Sequence, residues 1–507
     1  MNLCILVYMK NKSRFLLLLA VVLTLVSQAQ KKDTLCFIQV NDIYEIAPLQ
    51  GGKSGGIARI ASFIDECKKR YPTYTFVAGD FLSPSVMGTA VVDNERLSGK
   101  QMIDGLNEIG IDYVTFGNHE FDISESALQK RINESKFTWF SSNVFRNDGT
   151  PFYKEEAGNK IPFPEYVSIT SPKKQFTVHL IGLTLPSNTP AYSKFIAYDE
   201  AIDKWLPLLN VKDAAVMGLT HLSAKEDLEI LSKHHDIHFI MGGHEHEDMY
   251  LSSARGSHVA KADANGKSIY KHLVYRDEKK NITVKSELIN MDEAIPLKAS
   301  TTALVKKWED AVYNSFRKSG LEPTRDVCRL TDTLKGMEAS IRYEQNNLGK
   351  IINETLIMDS QADASFINAG AIRIDDNVTG SITELDVIRI MPFGNKIVEV
   401  QMKGGLLEQM IKSNDERKGL GGYLQIGKEV GVSNGIVTVN GKSVDKDKVY
   451  KIRTIEFLVS GKELRLEMFN EKNPDILTVS QSKDNNGNAL DLRLAFIQML
   501  KKAYTNR

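Results

Sequence analysis

From Leu35 to about Ile289, short apolar runs alternate with stretches whose apolar residues recur at helical spacing. Leu35–Val40 and Tyr74–Ala78 read as buried strands, and so do Tyr113–Phe116, Thr138–Phe140, Phe176–Leu183, Ala214–Leu219 and Ile237–Met241. Helical periodicity fills the gaps at Ile57–Arg70 and Gln101–Ile109. Strands alternating with helices predict an α/β layered fold. Ala303–Ser319 reads as one amphipathic helix, ended by Gly320-Leu321-Glu322-Pro323, a natural domain boundary. A second α/β or α+β domain follows to Arg507, with strands expected at Ala364–Ile367, Lys396–Val400 and Val449–Arg453. The chain has no internal repeat and no low-complexity tract.

The ends of the first set of strands carry unusual chemistry. Asp42, Asp80, Asn118, His221 and His244 each fall just past a predicted strand, and His246 follows two residues later. Loops at the carboxyl ends of strands are where α/β folds build their sites. These are oxygen and nitrogen donors suited to a pair of divalent cations, with a carboxylate able to touch both and imidazole and amide groups completing each shell. Two cations about 3.5–4 Å apart lower the pKa of a shared water until it is a nucleophile near neutral pH. Taken singly, Gly79-Asp80 is an ordinary turn and a lone histidine is more often structural. Six donors after five strands in order are a different matter, and argue for a metal-dependent hydrolase. One decoy drops out. Gly51-Gly52-Lys53-Ser54-Gly55-Gly56 looks like a phosphate loop, but that motif needs a glycine where Ala47 stands.

Composition narrows the partners. The 507 residues are 42% hydrophobic and 25% charged, enough for two or three domains, with 64 basic and 64 acidic side chains. No basic excess points to nucleic acid or an anionic membrane surface. Lys10, Lys12 and Arg14 precede the apolar run Phe15–Val26, and Ser27-Gln28-Ala29 offers a cleavage site, so residues 1–29 read as an export signal. That run is shorter than the roughly 18–20 residues that span a bilayer. The expected location is periplasmic or secreted, with no stable membrane insertion after cleavage. Its removal leaves 61 basic against 64 acidic residues, a net charge of −3. Cys36, Cys67 and Cys328 are too few and too odd in number for a disulfide framework, and read as buried free thiols.

The motifs Asn41-Asp42, Gly79-Asp80, Gly117-Asn118-His119-Glu120-Phe121-Asp122, Thr220-His221 and Gly243-His244-Glu245-His246 together resemble the 5′-nucleotidase family. The resemblance runs over nearly all the chain after residue 29. It implies a four-layer calcineurin-like metallophosphoesterase sandwich over residues 30–300, a linking helix over 301–323 and a separate α/β (α+β) nucleotide-binding domain over 324–507. It also implies two divalent ions (zinc, manganese, magnesium or calcium). Asp42 and His246 would hold the first, Asn118, His221 and His244 the second, and Asp80 would bridge them. The family's Asp-x-His motif reads Asp42-Ile43-Tyr44 here. A phenol, with an ordinary pKa of about 10, binds such ions poorly unless deprotonated. Tyr44 thus leaves three readings open: a phenolate ligand to a harder ion such as ferric iron, a solvent-filled position on a weaker first site, or a degenerate binding protein. His119 and Asp122 read as catalytic rather than ligating. The imidazole would protonate the leaving alkoxide, and the carboxylate three residues on would fix its tautomer. The bland alternative is a helix-start histidine capped by Asp122.

The second half names the substrate class. Asn368-Ala369-Gly370-Ala371-Ile372-Arg373 resembles the family's Asn-x-Gly-x-Ile-Arg substrate segment, and an arginine fork suits phosphate or carboxylate oxygens. Phe393 and Phe457 match its pair of base-sandwiching phenylalanines, a device that tolerates any base. Glu463 stands in a loop that departs from the family's Gly-Gly-Asp-Gly and would replace its ribose-binding aspartate. The function implied is removal of the 5′-phosphate from nucleoside monophosphates. The alternatives on the same scaffold are UDP-sugar hydrolase, 2′,3′-cyclic nucleotide phosphodiesterase and, more remotely, thiosulfohydrolase. From another class comes a non-catalytic nucleotide-binding protein. The implied partner is a small nucleotide, with no obligate protein partner.

Overall fold

A computed structural model describes residues 33–504 apart from 188, 210–213 and 485. The export signal expected over residues 1–29 lies outside the described residues. Among the described residues, no helix is long and apolar enough to cross a membrane. The chain clusters into two compact units. The first runs to Phe81 and resumes at Met102–Val305; the second joins Leu82–Gln101 to the chain from Lys306 onward.

Two six-stranded sheets build the first unit. One runs in the order Ile282–Asn290, Ser268–Arg276, Thr34–Val40 (β1), Thr73–Ala78 (β2), Tyr113–Thr115 (β3), Thr138–Trp139. The other runs Tyr166–Thr170, Thr177–Thr184, Ala214–His221 (β4), Ile237–Gly242 (β5), His258–Lys261, Met249–Ser252. β1, β2 and β3 pair in parallel, as do Thr177–Thr184, β4 and β5; antiparallel strands close both edges of the second sheet and one edge of the first, whose other edge strand, Thr138–Trp139, runs parallel to β3.

The near-continuous apolar runs of the central strands follow from this arrangement, because a parallel strand covered on both faces has no polar side. Leu35, Phe37, Phe76 and Ala78 of the first sheet form one core with Val178, Leu180, Met217, Leu219, Phe239 and Met241 of the second. Behind the second sheet, Val216, Ile237 and Ile240 pack with Ala201, Ile202, Ile230 and Leu231 of the helices Tyr198–Trp205 and Ala224–Lys233. Helix Ile57–Lys68 buries Ile57, Ile60 and Ile64 and lies against β2. The layers are therefore helix, sheet, sheet, helix, the calcineurin-like sandwich expected.

Boundaries differ from the sequence pattern in one place that matters. β4 runs two residues further than its apolar run, so His221 is its last residue instead of lying past its end. The amphipathic helix expected at Ala303–Ser319 spans Ala299–Lys318. Cys36 and Cys67 are buried free thiols, and Cys328 is half-buried and free.

The second unit centres on a five-stranded sheet, in the order Leu424–Ile426, Ala364–Asn368, Val449–Ile455, Ile397–Lys403, Ile476–Gln481. Helices Asn347–Ile357 and Leu492–Tyr504 pack together with buried Leu348, Ile352, Phe496 and Leu500. The fold is α+β in its strand directions, since one pair in this sheet is parallel and three are antiparallel.

Candidate metal centre

Parallel pairing puts the carboxyl ends of β1, β2, β3, β4 and β5 at one edge of the sandwich, and the loops leaving them are tied together by backbone bonds. Asp42 N donates to Gly79 O at 3.1 Å, and Gly243 N donates to Thr220 O at 2.9 Å. The turns are sharp. Asp42, Asp80, His244 and His246 all adopt positive φ, at 49°, 56°, 90° and 61°. Each such residue without glycine's freedom costs about 1–3 kcal/mol and persists only where the surroundings enforce it. Gly117 has no room for a side chain, since a Cβ would meet Asp80 Oδ1 at 2.1 Å.

Three donors meet directly. Single ligand atoms of Asp42, Asp80 and His221 all lie within 4.8 Å of one another, and all three residues are buried. His221 Nδ1 donates to Ala78 O at 2.8 Å, which leaves Nε2 facing Asp80 Oδ2 at 3.2 Å and Asp42 Oδ1 at 3.8 Å. His246 Nε2 comes within 3.4 Å of Asp42 Oδ1. His244 donates its backbone N–H to Asp42 Oδ2 at 2.9 Å, and its ring meets that of His221 edge-on at 5.4 Å between centroids. Asn118 is buried, and its Oδ1 has no hydrogen-bond partner.

The Tyr44 hydroxyl lies inside this group. It is 3.1 Å from Asp80 Oδ2, 3.4 Å from Asp42 Oδ1 and 3.0 Å from His246 Nε2. His119 stands at the margin. Its backbone N–H donates to Asp80 Oδ1 at 2.8 Å, and its ring Nδ1 bonds Asp122 Oδ2 at 2.6 Å, with both side chains partly exposed.

Electrostatics test whether cations fit. Burial works against ionising Asp80, but His221 and His119 outweigh it and hold its pKa below the usual carboxylate range. Asp42 is likewise lowered, with His221 and His246 overcoming its burial. Burial also opposes a charged imidazole at His221, yet Asp80 and Asp42 raise its pKa to about 9. Burial and then the neighbouring His221 push His244 down to about 3. Without metal the centre therefore favours two ionised carboxylates, offset only in part by a proton on His221 Nε2, which leaves net negative charge. A divalent cation answers the same demand, with His221 neutral and its Nε2 lone pair directed inward. The orphaned Asn118 oxygen and the neutral His244 add donors of the right kind. The residues fit divalent ions.

One member was not assigned a role by sequence reasoning. Glu120 is fully buried and accepts three backbone N–H bonds, from Asp80 at 2.8 Å, Gly117 at 2.6 Å and Phe81 at 2.7 Å. It clasps the Asp80 loop to the Gly117–Asp122 loop. Only its place inside the motif hinted at this.

Two family models match the chain: calcineurin-like phosphoesterase over residues 36–248, and the 5′-nucleotidase C-terminal domain over residues 327–471. The chain belongs to the 5′-nucleotidase family. It is a metallophosphoesterase and thus a hydrolase. Among the relatives of this 5′-nucleotidase family member, the 5′-nucleotidase of Bos taurus is 25% identical over 467 residues, covering 80% of this chain and 78% of its own length. Protein UshA of Yersinia enterocolitica is 22% identical over 472 residues, covering 80% of this chain and 82% of its own. The solved 5′-nucleotidase precursor from Thermus thermophilus superposes with a TM-score of 0.74 at 21% identity, covering 93% of this chain and 97% of that one.

The residues expected to bind nucleoside lie in the second unit. Asn368 ends the strand Ala364–Asn368, is buried, and donates through Nδ2 to Glu463 Oε2, while its Oδ1 has no partner. Burial raises the Glu463 pKa, offset in part by Asn368, Arg342 and Arg373. Asn368, Glu463 and the two arginines therefore share one electrostatic neighbourhood. Phe393 and Phe457 are 44% and 38% exposed, and among the described residues neither ring stacks on another aromatic side chain.

Proposed function

We propose that the chain removes the 5′-phosphate from nucleoside monophosphates, as an exported enzyme carrying two divalent ions. The convergence of Asp42, Asp80 and His221 beside a hydrogen-bonded His119–Asp122 pair carries this reading. Asp42 and His246 would hold the first ion, Asn118, His221 and His244 the second, and Asp80 would serve both. When bound, the ions supply a nucleophile at neutral pH and offset charge on the phosphoryl oxygens. Asp122 fixes the His119 ring through Nδ1, so the ring delivers its proton to the departing 5′-oxygen through Nε2. Residues 30–300 serve catalysis and 324–507 recognition. Phe393 and Phe457 offer faces to a base, Asn368 and Glu463 take ribose hydroxyls, and Arg373 takes an anionic oxygen. The signal-like residues 1–29 support export.

Tyr44 is the weak point of the first ion's site. Its phenol is hydrogen-bonded among Asp42, Asp80 and His246, and with an ordinary pKa of about 10 it would neighbour a divalent ion there without ligating it. The same contacts favour a second reading, a nucleotide-binding protein that keeps one ion or none. Metal analysis of the purified chain and phosphate release from AMP, UDP-glucose, a 2′,3′-cyclic nucleotide and an aryl phosphate separate the cases. Fastest release from AMP supports the proposal. Nucleotide binding without release from any of the four overturns it.

A further inference from the structure

Directly behind the histidines lies a buried ion cluster that takes no part in the chemistry above. Lys261 ends the strand His258–Lys261, opposite Gly242 in the register with β5, and is fully buried. Its Nζ donates to Leu222 O at 2.6 Å, to Gly243 O at 2.8 Å and to Glu245 Oε2. Asp227 Oδ2 lies 2.8 Å away as an ion pair. The three ammonium protons are thereby used on two loops. Leu222 follows His221, Gly243 precedes His244, and Glu245 sits between His244 and His246.

The cluster's other ends tie back to the same loops. Asp227 Oδ1 accepts from Thr220 Oγ1 at 2.7 Å, one residue before His221, and Glu245 Oε1 accepts from Ala224 N at the start of the helix Ala224–Lys233. Burying an ammonium with two carboxylates carries a desolvation cost that well-packed apolar side chains avoid, so the arrangement is a poor device for stability alone. It does fix geometry. One side chain sets how far the β4 loop stands from the β5 loop, and with it the separation of His221 and His244.

We infer that Lys261 is a positioning residue for the second metal ion, holding the His221 and His244 loops at ligating distance through Leu222 O, Gly243 O and Glu245. The inference rests on the metal reading proposed above. Groups that orient metal ligands without touching the ion are worth about 10- to 100-fold in metal affinity when removed.

The test is a zinc titration by calorimetry of the metal-stripped full chain, wild type and Lys261→Met, with thermal melts to establish folding. The wild type is expected to take two ions, and Lys261→Met to bind the His221–His244 ion about 10- to 100-fold more weakly with the other unchanged. The two ions are told apart by repeating the titration in His244→Ala. A folded Lys261→Met chain with both affinities at wild-type values overturns the inference, as does an equal weakening of both. If Lys261→Met does not fold, the Glu245→Gln/Lys261→Met chain, which loses one buried charge of each sign, carries the same expectation. A wild type that takes up no second ion sinks the metal reading itself and the inference with it, a result distinct from unchanged affinities.

Discussion

Replacing Glu120 separates its role as a clasp from any role in the reaction. Its carboxylate accepts from Asp80 N and Gly117 N on Oε2 and from Phe81 N on Oε1, in a site closed to solvent. Glu120→Ala leaves three buried donors without partners, each worth about 1–3 kcal/mol. Water entering the vacated space recovers part of that, so the expected cost is about 4–5 kcal/mol. Glu120→Gln keeps one oxygen, which turns toward the two donors. Its NH2 then faces Phe81 N, one orphaned donor, for about 2 kcal/mol. Urea unfolding followed by tryptophan emission reads both, because Trp139 packs on Phe81 and Phe116 at 5.2 and 5.1 Å between ring centroids. Both variants should also bind metal more weakly, since the positive φ of Asp80 loses its support. The clasp is refuted if Glu120→Ala costs under about 1 kcal/mol, or if Gln costs as much as Ala.

Other expectations follow from the same contacts. His119→Ala should keep its metal content and lose about 10²- to 10⁴-fold in turnover, with undiminished activity ruling out its acid role. Tyr44→His should tighten zinc at the first site by about tenfold or more, read by competition with a chelator; unchanged affinity would mean that the phenol does not weaken that site. The metal-free chain should be most stable near pH 6–7. Above that, the raised His221 pKa means that stabilisation is lost as pH rises through about 9. Below it, His244 and His272, both lowered to about 3, take up in the unfolded chain protons that the folded chain refuses. A stability that instead rises steadily from pH 6 to 9 would contradict the buried His221–carboxylate arrangement.

Much of the first unit was legible because its signals are local. Asp80, Asn118 and His244 each follow an apolar run and a glycine, so these candidate ligands announce themselves in a few residues, whereas His221 ends its strand. The mixed edges of the sheets were not anticipated. Ile282–Asn290 mixes exposed and half-buried positions without a strict alternation, and Met249–Ser252 is four residues long. Lys261 carries no local sign of burial, because its partners Asp227 and Glu245 come from other elements. Glu120 was visible only as a motif letter, as two of its three bonds reach residues 39 and 40 positions away. Tyr44 stands out in the sequence by its chemistry alone; that it meets Asp80 and His246 depends on loops 36 and 202 residues distant. In the second unit Asn368 and Glu463 meet although they are 95 residues apart, a contact that no local signal reveals.

The most direct test of the central claim is metal stoichiometry measured alongside phosphate release from AMP on one preparation of the full chain. Activity is expected to rise with the second equivalent of zinc or manganese per chain and to disappear on chelation. Full AMP hydrolysis by a chain holding no metal, or two bound ions with no phosphate released from AMP, would contradict it.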